Sequence, residues 1–121
     1  MTSSPPTYLD VELALSQIGD VEAMNGMMVM LQEALVHDIP AIADHLQVGD
    51  IASANRLLHG IKGFVPIFCQ DAFCSRVVQV EAMSKDSQST TVTAAYTELR
   101  PELDQLLADV TAYLASAGQS V

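Results

Sequence analysis

Apolar residues recur at helical steps through nearly the whole chain, and that periodicity limits the fold more than any other feature. Val21, Met24, Met28, Leu31, Leu35, Ile39, Ile42 and Leu46 follow one another at intervals of three and four. On a helix of 3.6 residues per turn they form one unbroken stripe. Leu99, Leu103, Leu106, Val110 and Leu114 do the same near the end of the chain. Period-two alternation, the mark of a half-buried strand, persists nowhere.

The stripes are separated by residues that stop and start helices. Gly19 ends a short first helix from about Leu9 to Ile18, and Asp20 caps the second. Pro40 removes an amide donor and crowds the preceding turn, which predicts a kink or brief break near Val36 to Ile39. Gly49-Asp50 is the next stop and cap, and a third helix runs from Ile51 to about Phe64, where Pro66 ends or bends it. Asp71 reads as the N-cap of a fourth helix carrying Phe73, Val77, Val80 and Met83. The polar run Lys85 to Thr91 is the clearest interhelix loop. A last helix reaches about Ala115, with Pro101 kinking it near its first turns. The expected fold is all-α: an antiparallel, up-down-up-down four-helix bundle with a short extra N-terminal helix. It spans residues 8–117, between short tails at 1–7 and 118–121.

Composition narrows the partners. The chain of 121 residues has room for one domain, and half of it is apolar, enough for a core without metal or disulfide staples. A net charge of −10 with only five Lys and Arg gives little for nucleic acid or an anionic membrane to bind, so neither is expected as a partner. No apolar run approaches the roughly 20 residues that span a bilayer. The Ser/Pro-rich start, Met1 to Pro6, lacks the regions of a signal peptide, so a cytoplasmic location is expected. Cys69 and Cys74 read as small buried hydrophobes. Met24 and Met28 belong to the core, and Met27 and Met30 to the edge of the stripe.

Chemistry concentrates on the third helix. Ile51, Ala54, Leu57, Leu58, Ile61 and Val65 gather on one side, and His59 points about 140° away, toward solvent. Its neighbours three and four positions off are Asn55, Arg56, Lys62 and Gly63. Gly60 and Gly63 each cost a helix about 1 kcal/mol relative to alanine. Bare backbone beside His59 is reasonable if another protein's loop approaches there. Arg56 and Lys62, two of only five cations, flank the imidazole and would attract a phosphoryl group attached to it.

These residues resemble the histidine-containing phosphotransfer (HPt) family, whose signature is His-x-x-Lys-Gly on an exposed helix face. It stands here as His59-Gly60-Ile61-Lys62-Gly63 within LLHGIKGFVPIF. The likeness extends to the Gly49-Asp50 turn and to VVQVEAMSK, with Glu81 at the family's acidic position, and covers about Leu9 to Lys85. The chain departs from the family in carrying Cys69 where a glycine is common, and Phe64, Val65 and Pro66 where residues are usually small.

The resemblance implies a four-helix phosphorelay protein in which His59 is the phospho-accepting residue. Its distal ring nitrogen would attack a receiver-domain aspartyl phosphate and later donate to another receiver's aspartate. Lys62 would orient the phosphoryl oxygens, and Gly63, Gly60, Asn55 and Arg56 would form the docking surface. The implied partners are the receiver domain of a response regulator or of a hybrid sensor histidine kinase. No cofactor would be bound by this chain, because Mg²⁺ would sit on the receiver's carboxylates, and no acidic cluster is expected beside His59. Without a Gly-rich nucleotide loop the chain reads as a phosphocarrier rather than an autonomous kinase. The start at Met1 favours a free-standing shuttle over a piece of a larger sensor. A rival reading is a helical adaptor that binds a receiver or another signalling partner without phosphotransfer. His37 and His45, eight apart, read as surface residues that share no metal.

Overall fold

The computed structural model describes residues 8–86 and 88–117; the expected tails at 1–7 and 118–121 lie outside the described residues. Five helices follow in order: α1 (Val11–Ile18), α2 (Val21–Gln47), α3 (Ile51–Phe68), α4 (Asp71–Asp86) and α5 (Ser89–Ser116). The fold is an all-α bundle. α2 packs on α3 and α5, α4 packs on α3 and α5, and α1 lies across α2 and α3. Cross-helix bonds run in opposed order along their helices. Asn25 and Ile39 of α2 meet Tyr113 and Tyr96 of α5, and Asn55 and Lys62 of α3 meet Ser84 and Glu81 of α4. Among the described residues the only extended pairing is an isolated antiparallel bridge, Leu9 with Cys69. No helix among these residues is long and apolar enough to cross a membrane.

Helix ends fall where the chain offers caps. The side chains of Asp10, Asp20 and Asp50 accept from the amides of Leu13, Ala23 and Ser53, satisfying donors that the first turns leave free. Gly19 and Gly49 take φ of 85° and 79°, the left-handed conformation that a side chain would oppose.

The core is the two stripes and what faces them. Met24, Met28, Leu31, Leu35, Ile39, Ile42 and Leu46 are buried, as are Leu99, Leu103, Leu106, Val110 and Leu114. Val21, read as the first residue of the α2 stripe, is instead 52 % exposed, in the first turn of the helix. Met30 is exposed and Met27 half-buried. Cys69 and Cys74 are buried free thiols. Burial pushes both thiols upward in pKa, which keeps them protonated.

Helix bounds differ from expectation at the end of α3, at the start of α4 and between α4 and α5. α2 and α5 run unbroken through Pro40 and Pro101, and α3 continues past Pro66 to Phe68. Each proline is exposed, and the carbonyl it deprives of a donor belongs to Val36, Lys62 or Thr97, none of them fully buried. Water can therefore replace the lost helical bond. Val65 and Phe68 extend the buried face of α3, and the amide of Asp10 donates to the Phe68 carbonyl at 2.7 Å, closing the last turn. Asp71 is the first helical residue of α4 rather than its cap, since the Cys74 amide donates to the Gln70 carbonyl. Of the expected loop from Lys85 to Thr91, Lys85 and Asp86 instead end α4 and Ser89 to Thr91 open α5, while residue 87 lies outside the described residues.

Candidate functional site

His59 stands in the middle of α3, on the face turned from the core, with 67 % of its side chain exposed. Ala54, Leu58, Ile61 and Val65 are buried on the opposite side and fix the rotation of the helix. The imidazole is thus held outward by the packing of its neighbours, at little cost to the core.

The group that organises the site lies across the hairpin. Glu81 of α4 is 1 % exposed, on the same face as the buried Val77, Val80 and Ser84. A carboxylate there loses hydration and must be compensated by partners. Lys62 Nζ donates to Oε1 at 3.0 Å, and Asn55 Nδ2 donates to Oε2 at 3.1 Å. Lys85 Nζ is 3.5 Å from Oε2 along α4. His59 Nδ1 is 3.7 Å from the same oxygen, too long for a hydrogen bond. Burial pushes the Glu81 pKa up, but the hydrogen bonds from Lys62 and Asn55 and the charges of Lys62 and Lys85 prevail and hold it below the usual glutamate range. Glu81 is therefore an anion with two lysines on it, and the cluster as a whole is cationic.

The other expected site residues divide. Gly60 and Gly63 are exposed, and a Cβ at either would meet nothing within 4 Å. Internal packing therefore gives no reason for glycine at these helical positions. Arg56 is exposed near His59, and its Nη2 donates to Ser53 Oγ at 3.0 Å. Asn55 is half-buried, with its amide also donating to Ser84 Oγ at 2.7 Å, so it braces the α3–α4 hairpin. One acidic side chain, Glu81, lies beside His59.

Glu81 and Lys85 are the members of this cluster that sequence reading did not place at the site. A signal existed: helical spacing puts Glu81 between Val77 and Ser84 on the inward stripe, and a carboxylate there demands cations one turn away. His37 and His45 are surface residues, as expected, beside Asp38 and Asp50. Among the described residues, no group of three or more His, Cys, Asp or Glu gathers where it could hold a metal ion. Shallow grooves between α2 and α5 and between α4 and α5 include no residue of α3.

Compared with protein-family models, curated proteins and solved structures, the chain matches none.

Proposed function

We propose that this chain is a histidine phosphotransfer protein of a two-component phosphorelay, with His59 relaying a phosphoryl group between receiver-domain aspartates. The observation that carries the reading is an exposed imidazole at mid-helix with a lysine on the next turn and bare glycine backbone beside it. In-line attack by the ring on an aspartyl phosphate needs an approach unobstructed by neighbouring side chains, and Gly63 leaves one. Lys62 is already held as a cation one turn from the ring, so it needs only to exchange a carboxylate oxygen for a phosphoryl oxygen. Charge in the transition state would be met jointly by this lysine and by Mg²⁺ on the receiver's carboxylates. Such a carrier works in the cytoplasm with response regulators or hybrid kinases as partners, and needs no nucleotide site of its own.

One observation favours the adaptor reading: the Lys62 ammonium already has a partner in Glu81. Incubation with phosphorylated receiver domains and Mg²⁺ separates the two. The relay reading expects acid-labile, base-stable label on this chain, lost in His59→Gln while stability stays within about 0.5 kcal/mol. Binding without label would establish the adaptor instead, and label persisting in His59→Gln would remove His59 from the chemistry.

A further inference from the structure

Of the five Lys and Arg residues in the chain, four rest on a carboxylate. Lys62 and Lys85 lie 3.0 and 3.5 Å from Glu81, Arg76 lies 2.6 Å from Glu102, and Arg100 lies 3.9 Å from Asp104. Arg56 is the exception, making no ion pair among the described residues. The cause is local: the positions three and four away from it on either side are Ala52, Ser53, His59 and Gly60, and none carries a carboxylate. In a chain with 15 Asp and Glu, an exposed cation left unpaired one turn from His59 is a charge kept for something outside the chain.

What Arg56 does touch fixes where it points. Its Nη2 donates to Ser53 Oγ at 3.0 Å, and that hydroxyl gives its own proton to Asp50 Oδ2 at 2.7 Å. The lone pairs of the hydroxyl are thereby turned toward Arg56. Asp50 reaches the guanidinium only through this hydroxyl, while its Oδ1 accepts from the Ser53 amide at 3.1 Å as the helix cap. Most of the N–H donors of Arg56 stay open, in a planar fork. Ser53 lies about 9 Å before His59 along the helix axis, and helical side chains lean toward the N-terminus. The fork therefore stands beside the imidazole and not over it.

We propose that Arg56 is a docking residue that selects the partner: steadied by Ser53, its guanidinium receives an acidic side chain of a receiver domain as that domain closes over His59. The proposal rests on the reading that a receiver docks on this face, and it holds for the adaptor as well as for the relay. A guanidinium meets a carboxylate through two parallel N–H···O bonds, and a fork already ordered loses little freedom on binding. Away from the α3 face, a chain of net charge −10 repels such a side chain, so the one that meets Arg56 sets the register of docking. A phosphoryl group on His59 is the less fitting guest, because Ser53 draws the fork away from the ring.

Titration of the full chain against a panel of receiver domains tests this. Arg56→Gln should weaken binding on the order of tenfold, with Arg56→Lys in between because an ammonium lacks the fork. Ser53→Ala, which keeps the cap through its amide, should weaken binding in the wild type but not in the Arg56→Gln background. An equal loss in both backgrounds would take Ser53 out of the device. Exchanging the receiver's exposed Asp and Glu for Arg one at a time should find one position that restores binding to Arg56→Glu; failure at every position overturns the carboxylate as guest. Equal affinity of Arg56→Gln and the wild type overturns the proposal, and so does a wild type that binds no receiver domain. With phosphoramidate, a donor that brings no receiver, slower labelling of His59 in Arg56→Gln would put the guanidinium on the phosphoryl group and overturn it too. Binding weakened by Arg56→Gln, with no label on the wild type from phosphoramidate or receivers, would sink phosphotransfer and leave the docking role standing.

Discussion

At the scale of single residues, Glu81 ties the stability of the fold to the state of the candidate site. Hydrogen bonds from Lys62 and Asn55 lower its pKa against the opposing effect of burial. A carboxyl whose folded pKa lies below its unfolded value stabilises the native state above the ordinary carboxylate range, and that contribution disappears as pH falls through the lowered value. Asp10 and Asp50 are lowered too, first by Gln70 and Ser53 respectively, so acid should weaken the wild type through several groups. Denaturant titrations between about pH 6 and pH 3 should show a shallower loss in Glu81→Gln than in the wild type. Parallel curves would mean that the carboxylate contributes nothing. His59 could be placed from sequence because a helical wheel needs only local spacing. The web around Glu81 could not, because its bonds span 19 to 29 residues between two helices whose relative rotation no local pattern sets.

At the scale of elements, the caps at Asp20, Gly49 and Asp50 were legible, whereas the start of α4 and the end of α3 were not. Asp20, Gly49 and Asp50 act within four residues of themselves, so the chain alone specifies them. Whether Pro40, Pro66 and Pro101 break their helices depends on which side they face and what packs opposite, a tertiary matter. All three turn to water, and the buried faces hold each helix together across them. The glycines of α3 allow a test in which folding and function should move in opposite directions. Gly63→Ala places a methyl in open space and should stabilise the protein by about 0.5–1 kcal/mol in chemical denaturation. The same methyl should slow phosphoryl exchange with a receiver while leaving phosphoramidate labelling unchanged. Unaltered exchange would take Gly63 out of the docking surface.

At the scale of the whole molecule, the segment before α1 is tied to α5 by a buried carboxylate. Asp109 of α5 accepts from the amides of Tyr8 at 2.9 Å and Leu9 at 3.4 Å, while Gln105 Nε2 donates to its other oxygen. The Tyr8 and Phe73 rings lie 5.0 Å apart and help to seat the segment. Nothing near Asp109 in the sequence signals this, since the two amides it accepts from lie 100 and 101 residues away. Asp109→Ala should cost about 1–3 kcal/mol and speed hydrogen exchange at Leu9 and Asp10 more than in the α2 and α5 cores. Equal protection in mutant and wild type would show that the segment is held by packing alone. A last consequence follows from where the charges fall. α3, Ile51–Phe68, contains Arg56 and Lys62 and no acidic residue, whereas the chain as a whole carries −10. The molecule is therefore electrically polarised, with its one cationic helix bearing the exposed imidazole. An incoming surface of concentrated negative charge would be turned toward that helix before touching it, and added salt weakens that torque.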